Sequence, residues 1–413
     1  MAKITTLIEN AGQVLTCAPD APDLVGACAN SVVAISGAEI AAVGAPHDIA
    51  ARHDLSSATR VDAQGGLVMP GFVDCHTHLV FHKSRVEEYA QKVRGRSAAE
   101  IRAMGIPVGI TATARMMREA TKEQLVDSAL ERLEHMLACG TTTVESKSGY
   151  GLNTATEIKM LEVNKLLGAC QPIEIVSTFL GAHEFPDDKD RDAYIAEIID
   201  EMIPLVARRG LAEFNDVYCD DGYYTLAETR SILQCGLDHG LKIKIHTDAY
   251  SHIGGSTLAA DMKAVSADHM NYTDPSEYAR LREAGVVCVV MPALDFAVGH
   301  TRPFDARAML DAGVTVALAT DMCPGCWLES MPFVVQLACR LYKFSPAEAI
   351  RAGTLHAAMA LDRGQRLGSL EVGKQADVAI FPYERYEDMA YRLGRGQARL
   401  VMKAGKVVFD SRR

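Results

Sequence analysis

The sequence of 413 residues lacks the features that mark membrane, secreted or nucleic-acid-binding proteins. No stretch reaches the uninterrupted apolar length of a membrane-spanning helix, and the N-terminal residues lack the basic start and apolar stretch of a secretory signal. Lys and Arg form no run, and the formal net charge of -11 repels phosphate backbones. We therefore expect a cytoplasmic protein with neither a membrane nor a nucleic-acid partner.

The chain also lacks the cysteine pattern of a disulfide framework. Its 11 cysteines are odd in number and stand singly, apart from Cys323 and Cys326, which favours reduced thiols. Hydrophobic residues make up 48% of the chain and charged residues 23%, and this composition excludes a mainly disordered protein. A chain of this length exceeds the usual size of one core, so we expect a large domain and a small accessory one.

Short apolar runs separated by turns occupy both ends of the chain and predict β-strands there. These runs are 4–8, 13–17, 31–36, 39–43 and 59–62, then 376–381, 398–403 and 406–410, the last two joined by Ala404-Gly405 as a tight hairpin. Strand-rich segments at both termini predict that the two ends meet in one small β-sandwich. We expect domain limits of 1–67 and 366–413 for the two parts of the sandwich, with the segment 68–365 between them.

The segment 68–365 has a different pattern, in which strand-like runs alternate with amphipathic helical stretches. The runs are 66–74, 141–146, 174–180, 214–218, 242–245, 264–268, 286–291 and 315–320. The intervening helical stretches include 122–138, 154–167, 191–208, 226–239 and 275–284. Eight strand–helix units predict an α/β fold with a parallel (β/α)8 barrel of the TIM type, in which chemistry occurs at the carboxyl ends of the strands.

Four metal-binding side chains stand at predicted strand ends. The first strand ends in His76 and His78, and residues two apart in extended backbone point to the same side. His246 ends the fifth strand and Asp321 ends the eighth. A lone histidine at such a place more often satisfies a local hydrogen bond, but four such residues at one end of a barrel predict a site for one divalent metal ion.

Two further histidines end predicted strands. His269 closes the strand after that of His246, and it is either a fifth ligand or a catalytic histidine that polarises the substrate; an open metal site favours the second role. His183 ends the third strand, and we expect it to contact the substrate rather than to lie in a surface loop.

Over nearly its whole length the chain resembles the amidohydrolase superfamily, and within it the imidazolonepropionase family. The resemblance rests on residues 70–81, on Val-Glu-Ser-Lys-Ser-Gly-Tyr-Gly-Leu at 144–152, on 178–183, on Ser-Ala-Asp-His at 266–269, and on Ala-Thr-Asp at 319–321 followed by Pro324-Gly325. The Lys-Ser-Gly-Tyr-Gly segment is nearly diagnostic of that family. Residues 368–377 are common across the superfamily and indicate only the terminal sheet.

This resemblance implies a role for each matched position. It implies that His76, His78, His246 and Asp321 bind one divalent ion, with zinc ahead of iron or manganese, that Asp321 also takes a proton from the attacking water, and that His269 steadies the oxyanion. It implies that Arg85, Tyr150 and His183 hold a five-membered nitrogen ring bearing a propionate. A guanidinium fork suits a carboxylate, although Arg85 on its own would equally pair with Glu88. Symmetric pairing is common, so we expect a homodimer.

The sequence departs from the family pattern at three positions. The family usually has a glutamate three residues after the fifth-strand histidine, where this chain has Ala249, and that glutamate would protonate the leaving nitrogen. The asparagine expected before Pro324 is Cys323, and a tyrosine expected near position 98 is Ala98. Cys323 and Cys326 either shape a substrate pocket that suits sulfur or are small residues in a tight turn. A loop shifted by one residue would let Asp248 supply the acid.

The absence of this glutamate bears on the reaction. An amide nitrogen is a poor leaving group unless a general acid protonates it, whereas sulfide is a weaker base and leaves without protonation. The hypothesis is hydrolysis of 3-(5-oxo-2-thioxoimidazolidin-4-yl)propionate to hydantoin propionate and hydrogen sulfide. One alternative is ordinary imidazolonepropionase activity, which opens the ring to formiminoglutamate in histidine degradation. Two further alternatives are a nucleobase-type deaminase and a barrel that has lost its metal and serves as a structural or binding protein.

Overall fold

A computed structural model of the chain describes residues 3–302 and 304–412. Eight parallel strands form one sheet in chain order, each paired with the next. They are Phe72–Asp74, Thr141–Lys147, Glu174–Ala182, Phe214–Cys219, Lys242–Thr247, Ser266–His269, Val287–Val290 and Val316–Leu318. A parallel bridge between Thr77 and Met322 joins the first and eighth strands just past their ends. The predicted α/β barrel of the TIM type is therefore confirmed, and we number its strands one to eight.

Helices cover the outside of the barrel and follow most of its strands. The longer ones are Gly109–Glu119, Lys122–Ala138, Thr154–Cys170, Leu226–Asp238 and Met331–Leu341. The shorter ones are Val86–Lys92, Ala98–Ala103, Gly255–Asp261, Tyr278–Ala284 after the 3-10 turn Pro275–Glu277, Pro292–Val298, Ala306–Asp311 and Tyr386–Tyr391. The helix Pro46–Arg52 lies outside the barrel, against the strand Glu39–Gly44. Two helices contain a π-helical turn: Arg191–Glu197 continues through Ile198–Met202 into Ile203–Arg209, and Pro346–Arg351 continues through Ala352–His356 into Ala357–Met359. Among the described residues, no helix has the length and apolar character needed to cross a membrane.

Strands from both ends of the chain form two further sheets. The four-stranded sheet has the order Glu39–Gly44, Val32–Ser36, Thr6–Glu9 and Thr59–Asp62. The six-stranded sheet has the order Lys406–Asp410, Leu400–Lys403, Val378–Phe381, Leu67–Pro70, Gln13–Leu15 and Ala27–Cys28. Ile35 of the first sheet and Ile380 of the second belong to one buried apolar cluster, so the sheets pack face to face. The expected joining of the two termini is confirmed, whereas the domain limits 1–67, 68–365 and 366–413 stay predictions.

The first predicted strand, 66–74, is two strands in the structure. Leu67–Pro70 pairs with Val378–Phe381 in the six-stranded sheet, and Phe72–Asp74 pairs with Thr141–Lys147 in the barrel. Gly71 separates them: its N–H donates to the Asp377 carbonyl, and a Cβ atom here would lie 2.4 Å from the Thr142 side chain. The chain passes from one sheet to the other at this glycine because a larger residue would collide with the second strand.

Candidate metal centre

The four predicted metal ligands meet at the carboxyl end of the barrel. His76 and His78 follow the first strand, His246 lies in the fifth, and Asp321 follows the eighth. One ring nitrogen from each of the three histidines lies within 4.8 Å of the other two. Asp321 Oδ1 lies 3.7 Å from His76 Nε2 and 3.6 Å from His78 Nε2. Side chains from three distant parts of the sequence thus surround one point, as the strand-end pattern predicted.

Unsatisfied polar atoms at this point fit a cation. Within residues 3–302 and 304–412, His76 Nε2, His246 Nε2 and Asp321 Oδ1 are buried and have no hydrogen-bond partner. A buried polar atom without a partner costs about 1–3 kcal/mol, so three at one point indicate a missing ligand rather than a stable packing arrangement. Imidazole nitrogens and a carboxylate oxygen are the donors that zinc and similar divalent ions bind.

Two buried aspartates orient the ligand histidines from behind. Asp268 Oδ2 lies 2.6 Å from His76 Nδ1, and Asp216 Oδ2 lies 2.9 Å from His246 Nδ1. The hydrogen bond at His76 Nδ1 fixes the tautomer that leaves its Nε2 free toward the cluster, whereas the Asp216 carboxylate lies against His246 Nδ1 without the geometry of a hydrogen bond. The strand-end pattern in the sequence did not identify either aspartate. Asp268 was visible beside His269 in the sixth strand, whereas nothing in the fourth strand distinguishes Asp216.

The histidines of the site are neutral, as metal ligands must be. Burial, with the Lys147 ammonium next in importance, holds the pKa of His76 well below its usual range. Burial and the neighbouring His183 and His246 rings do the same for the pKa of His78. Burial also raises the pKa of the Asp321 carboxyl well above its ordinary value, which a bound cation would reverse.

Left-handed backbone turns two of the functional side chains into the barrel mouth. His269, the last residue of the sixth strand, has φ 88°, and Asp321 has φ 48°. Residues other than glycine rarely adopt this conformation, which costs roughly 1–3 kcal/mol where it is strained. The His269 ring lies with its centroid 5.3 Å from that of His76 and 5.1 Å from that of His246. His269 therefore stands beside the ligand cluster, where the sequence placed it.

Arg85, Tyr150, His183 and Cys323, the predicted substrate contacts, all line one cavity of about 1410 Å³ that opens above the cluster. The His183 ring stacks on that of His78, with centroids 4.8 Å apart and planes inclined by 5°. His183 Nδ1 lies 3.1 Å from the Gly149 carbonyl, which leaves Nε2 for the cavity. Tyr150 and Cys323 influence each other in this wall: burial, with the Cys323 thiol next in importance, holds the pKa of the Tyr150 phenol well above its usual value.

Arg85 pairs with Glu88 and also lies in the wall of the cavity. It immediately precedes the helix Val86–Lys92, and its Nε lies 3.5 Å from Glu88 Oε2. Glu88 Oε1 also forms an ion pair with Lys92 Nζ at 2.6 Å, so the Glu88 carboxylate lies between two cationic side chains. The guanidinium lies against Gly325, where a Cβ atom would approach Nη2 to 2.6 Å. Arg85 is thus paired with Glu88 and still lines the cavity.

The structure shows no acid at the position of the missing glutamate. Ala249 is buried; its N–H donates to Asp220 Oδ2 at 2.9 Å, and its carbonyl lies 2.9 Å from His300 Nε2. The Asp248 carboxylate accepts hydrogen bonds from Thr247 and Thr273 instead, and Asp248 is fully buried. Because this carboxylate is engaged away from the cavity, Asp248 does not take the place of the glutamate.

An aromatic wall of the cavity escaped the sequence analysis. It consists of Tyr218, Tyr223, Tyr250 and His300. The Tyr218 and Tyr223 rings stack with centroids 4.0 Å apart, and burial raises the pKa of Tyr223 to about 12. Tyr218 ends the predicted strand 214–218 and is the second-last residue of the fourth strand, as His246 is of the fifth, so the strand-end rule would have found it. Tyr250 and His300 lie in loops, where no periodic signal identifies them.

The sequence matches the model of the amidohydrolase family over residues 67–408. Imidazolonepropionase from Geobacillus thermodenitrificans (strain NG80-2) is 45% identical over an alignment of 386 positions that covers 92% of this chain and 90% of that protein. Imidazolonepropionase from Shouchella clausii (strain KSM-K16) is 41% identical over an alignment of 425 positions, gaps included, that covers 99% of this chain and 94% of that protein.

Solved structures share the fold at low sequence identity. A zinc-bound adenosine deaminase from Xanthomonas campestris superposes with a TM-score of 0.70 at 22% identity, covering 99% of this chain and 94% of that one. Atrazine chlorohydrolase from Arthrobacter aurescens TC1, complexed with zinc, gives 0.71 at 18% identity, covering 99% and 96%. At these identities the likeness concerns the fold alone.

Proposed function

The chain belongs to the amidohydrolase family and is a homologue of imidazolonepropionases, and from this premise we propose that its substrate is a five-membered imidazolone-type ring bearing a propionate. The name of the relatives supports a substrate of this class. The cavity supports it independently, because Arg85 offers a guanidinium fork to a carboxylate within the same space that contains the ligand cluster.

We assign the roles in hydrolysis as follows. A divalent ion held by His76, His78, His246 and Asp321 would supply the Lewis acidity that brings the pKa of water toward neutrality. Asp321 accepts a proton from the attacking water. His269 donates a hydrogen bond to the heteroatom on which negative charge develops, because one of its ring nitrogens lies within 4.8 Å of ligand atoms of His76 and Asp321.

The identity of residue 249 bears on whether the site cleaves a ring C–N bond or a C2–S bond. Ring opening requires a protonated nitrogen leaving group. The position at which the family usually has the acid is Ala249, whose side chain is a methyl group and whose backbone N–H and carbonyl are hydrogen-bonded to Asp220 and His300. Sulfide is a much weaker base than an amide anion and leaves without a proton donor. We therefore propose hydrolysis of a 2-thioxo ring, 3-(5-oxo-2-thioxoimidazolidin-4-yl)propionate, and the absence of a carboxyl at position 249 is the observation that supports it.

The reaction balances with water as the only co-substrate. The water oxygen forms a bond to C2, the C2–S bond breaks, and the two protons of water leave with sulfur as hydrogen sulfide. The product is hydantoin propionate. The side chain of Cys323 lies in the cavity wall, where a polarisable thiol suits contact with sulfur.

The second candidate is ring opening of imidazolone propionate to formiminoglutamate. The observation that favours it is direct: relatives 41–45% identical over nine-tenths or more of the chain bear the name imidazolonepropionase. This reaction then needs a proton donor other than residue 249. Tyr218 and Tyr223 are candidates in the cavity wall, although burial holds the pKa of both phenols above its usual value. A homodimer in the cytoplasm stays a prediction.

The test is to incubate zinc-loaded enzyme separately with imidazolone propionate and with its 2-thioxo analogue. Sulfide is measured colorimetrically, and ring opening is followed by loss of ring absorbance and by mass spectrometry. We expect stoichiometric sulfide from the thioxo ring and little turnover of the other. Rapid ring opening without sulfide would instead establish the second candidate.

A variant at position 249 sharpens the test. Ala249→Glu restores a carboxyl where the family has one, and Ala249→Gln is the matched control of equal size without an acid. If the missing acid limits ring opening, the Glu variant opens imidazolone propionate faster than both the Gln variant and the parent. Equal rates in all three would remove Ala249 as the basis for choosing between the reactions.

A further inference from the structure

Lys147, in the Lys-Ser-Gly-Tyr-Gly segment, has no role in the function proposed above. It ends the second strand and lies completely buried beneath the ligand cluster. Its Nζ lies 2.8 Å from Asp216 Oδ2, 2.9 Å from Glu145 Oε2 and 3.5 Å from Asp268 Oδ2. One ammonium group therefore contacts three carboxylates, in the part of the barrel where water has no access.

Two of these carboxylates hold the metal-ligand histidines. Asp268 contacts His76, and Asp216 contacts His246, each at the ring nitrogen that faces away from the cluster. Lys147 is consequently joined to two ligands through one intervening residue each. A change in its charge would reach both ligands through these two carboxylates, which contact the histidine rings directly.

The carboxylates around Lys147 have the composition of a cation site. His76, Glu145 and Asp268 present ligand atoms within 4.8 Å of one another, and so do Asp216, His246 and Asp268. Both groups share Asp268, and all three of their carboxylates contact the Lys147 ammonium. The lysine occupies the space between them, so a metal ion and the ammonium group exclude each other there.

The charges of this region balance with one divalent ion. Four carboxylates contact the buried lysines or the ligand histidines, namely Glu145, Asp216, Asp268 and Asp321. The second buried lysine, Lys244, lies 2.8 Å from Glu145 Oε1. The nearby Asp74 carboxyl accepts hydrogen bonds from Thr320 instead and is not counted here. Two ammonium groups and four ionised carboxylates leave a net charge of minus two. One divalent cation neutralises it, and buried charge that is not neutralised is costly.

We propose that the Lys147 ammonium takes the place of a second cation and thereby fixes the metal content at one divalent ion per chain. Burial lowers the pKa of Lys147, but the carboxylates of Asp216, Glu145 and Asp268 raise it by more, so the side chain keeps its charge. A second metal ion would need this ammonium to be absent. The proposal concerns metal content and does not depend on the identity of the substrate.

Metal content measured on variants tests the proposal. Each purified protein is incubated with excess Zn²⁺, desalted and analysed for zinc per chain. Lys147→Met removes the ammonium and keeps a side chain of similar length, and we expect the ratio to rise from one to two. The matched control is Lys165→Met, at an exposed lysine of the helix Thr154–Cys170, for which we expect one.

A double variant separates charge from shape. Lys147→Met combined with Glu145→Gln removes one positive and one negative charge, so the region again balances with one ion, and we expect a ratio of one. Lys147→Met is also expected to melt at a lower temperature without metal and to regain more stability from added Zn²⁺ than the parent does. With Mn²⁺, the same variant is expected to show the exchange-coupled electron paramagnetic spectrum of two adjacent ions.

Two results would overturn the proposal. One is folded Lys147→Met protein that binds a single zinc ion at saturating metal. The other is Lys147→Met protein that does not fold even in excess Zn²⁺ although the double variant folds, because a metal ion would then be unable to replace the ammonium. Activity is not needed in either measurement, so a failure of the proposed function is distinguishable from a failure of this proposal.

Discussion

The placement of the Arg85 guanidinium depends on the absence of a side chain at Gly325. A Cβ atom built at this position lies 2.6 Å from Arg85 Nη2 and 3.7 Å from Cys323 Sγ. The first distance is too short, so in Gly325→Ala the guanidinium must move, whereas the second is an ordinary contact. Because the obstructed atom is the far end of a flexible side chain, we expect the unfolding free energy to change by less than about 1 kcal/mol.

The kinetic effect follows from the lost contact with the substrate carboxylate. A charge-assisted hydrogen bond contributes roughly 1.5–3 kcal/mol, which corresponds to about 10- to 150-fold in binding. We expect KM to rise by that factor with kcat nearly unchanged, measured on the propionate substrate. A neutral analogue with the propionate replaced by its amide serves as the control and should be affected little. An unchanged KM for the propionate, in a variant that melts like the parent, would refute the assignment of Arg85 as the carboxylate clamp.

Two further predictions concern buried groups away from the metal. Glu157 accepts hydrogen bonds from three backbone N–H groups of segment 149–152, at 2.8, 2.6 and 3.1 Å. Glu157→Gln turns an N–H donor toward these N–H groups, so we expect the free energy of unfolding to fall by about 2–4 kcal/mol. We also expect KM to rise, because Tyr150 belongs to the displaced segment. Unaltered melting and KM would contradict this. Burial lowers the pKa of His356 to about 4. Between about pH 6.5 and pH 4 the unfolded chain therefore binds a proton at His356 that the folded chain does not bind. The free energy of unfolding consequently falls as the pH drops through this range. His356→Asn should flatten this part of the urea-unfolding profile, and an identical slope in both proteins would count against it.

Regular periodicity accounts for what the sequence revealed of the fold. The helix Lys122–Ala138 has its predicted limits because Thr121 and Gln124 form a capping box before an amphipathic stretch. The predicted single helix 191–208 instead contains the π-helical turn Ile198–Met202. Pro204 follows that turn and has no N–H for the regular hydrogen bond, which gives a local reason for the irregularity. Periodicity indicates a helix but does not specify such a turn.

The candidate site was predictable only where the chain ends a strand. The barrel topology brings all strand ends to one face, so His76, His246 and Asp321 could be grouped before any distance was known. Lys147 also ends a strand, but neither Lys147 nor Asp216 gives any sign in the sequence of the partner that neutralises its charge. Their pairing at 2.8 Å exists only after the barrel closes. Tyr250 was missed because loop positions have no period.

The account rests on one divalent ion held by His76, His78, His246 and Asp321. Anomalous diffraction from crystals of the metal-loaded protein, recorded at the absorption edge of the metal, tests this most directly. We predict a single peak about 2.0–2.2 Å from a ring nitrogen of each histidine and from an Asp321 oxygen. Catalytically active crystals with no peak there, or with the peak elsewhere in the barrel, would contradict the account.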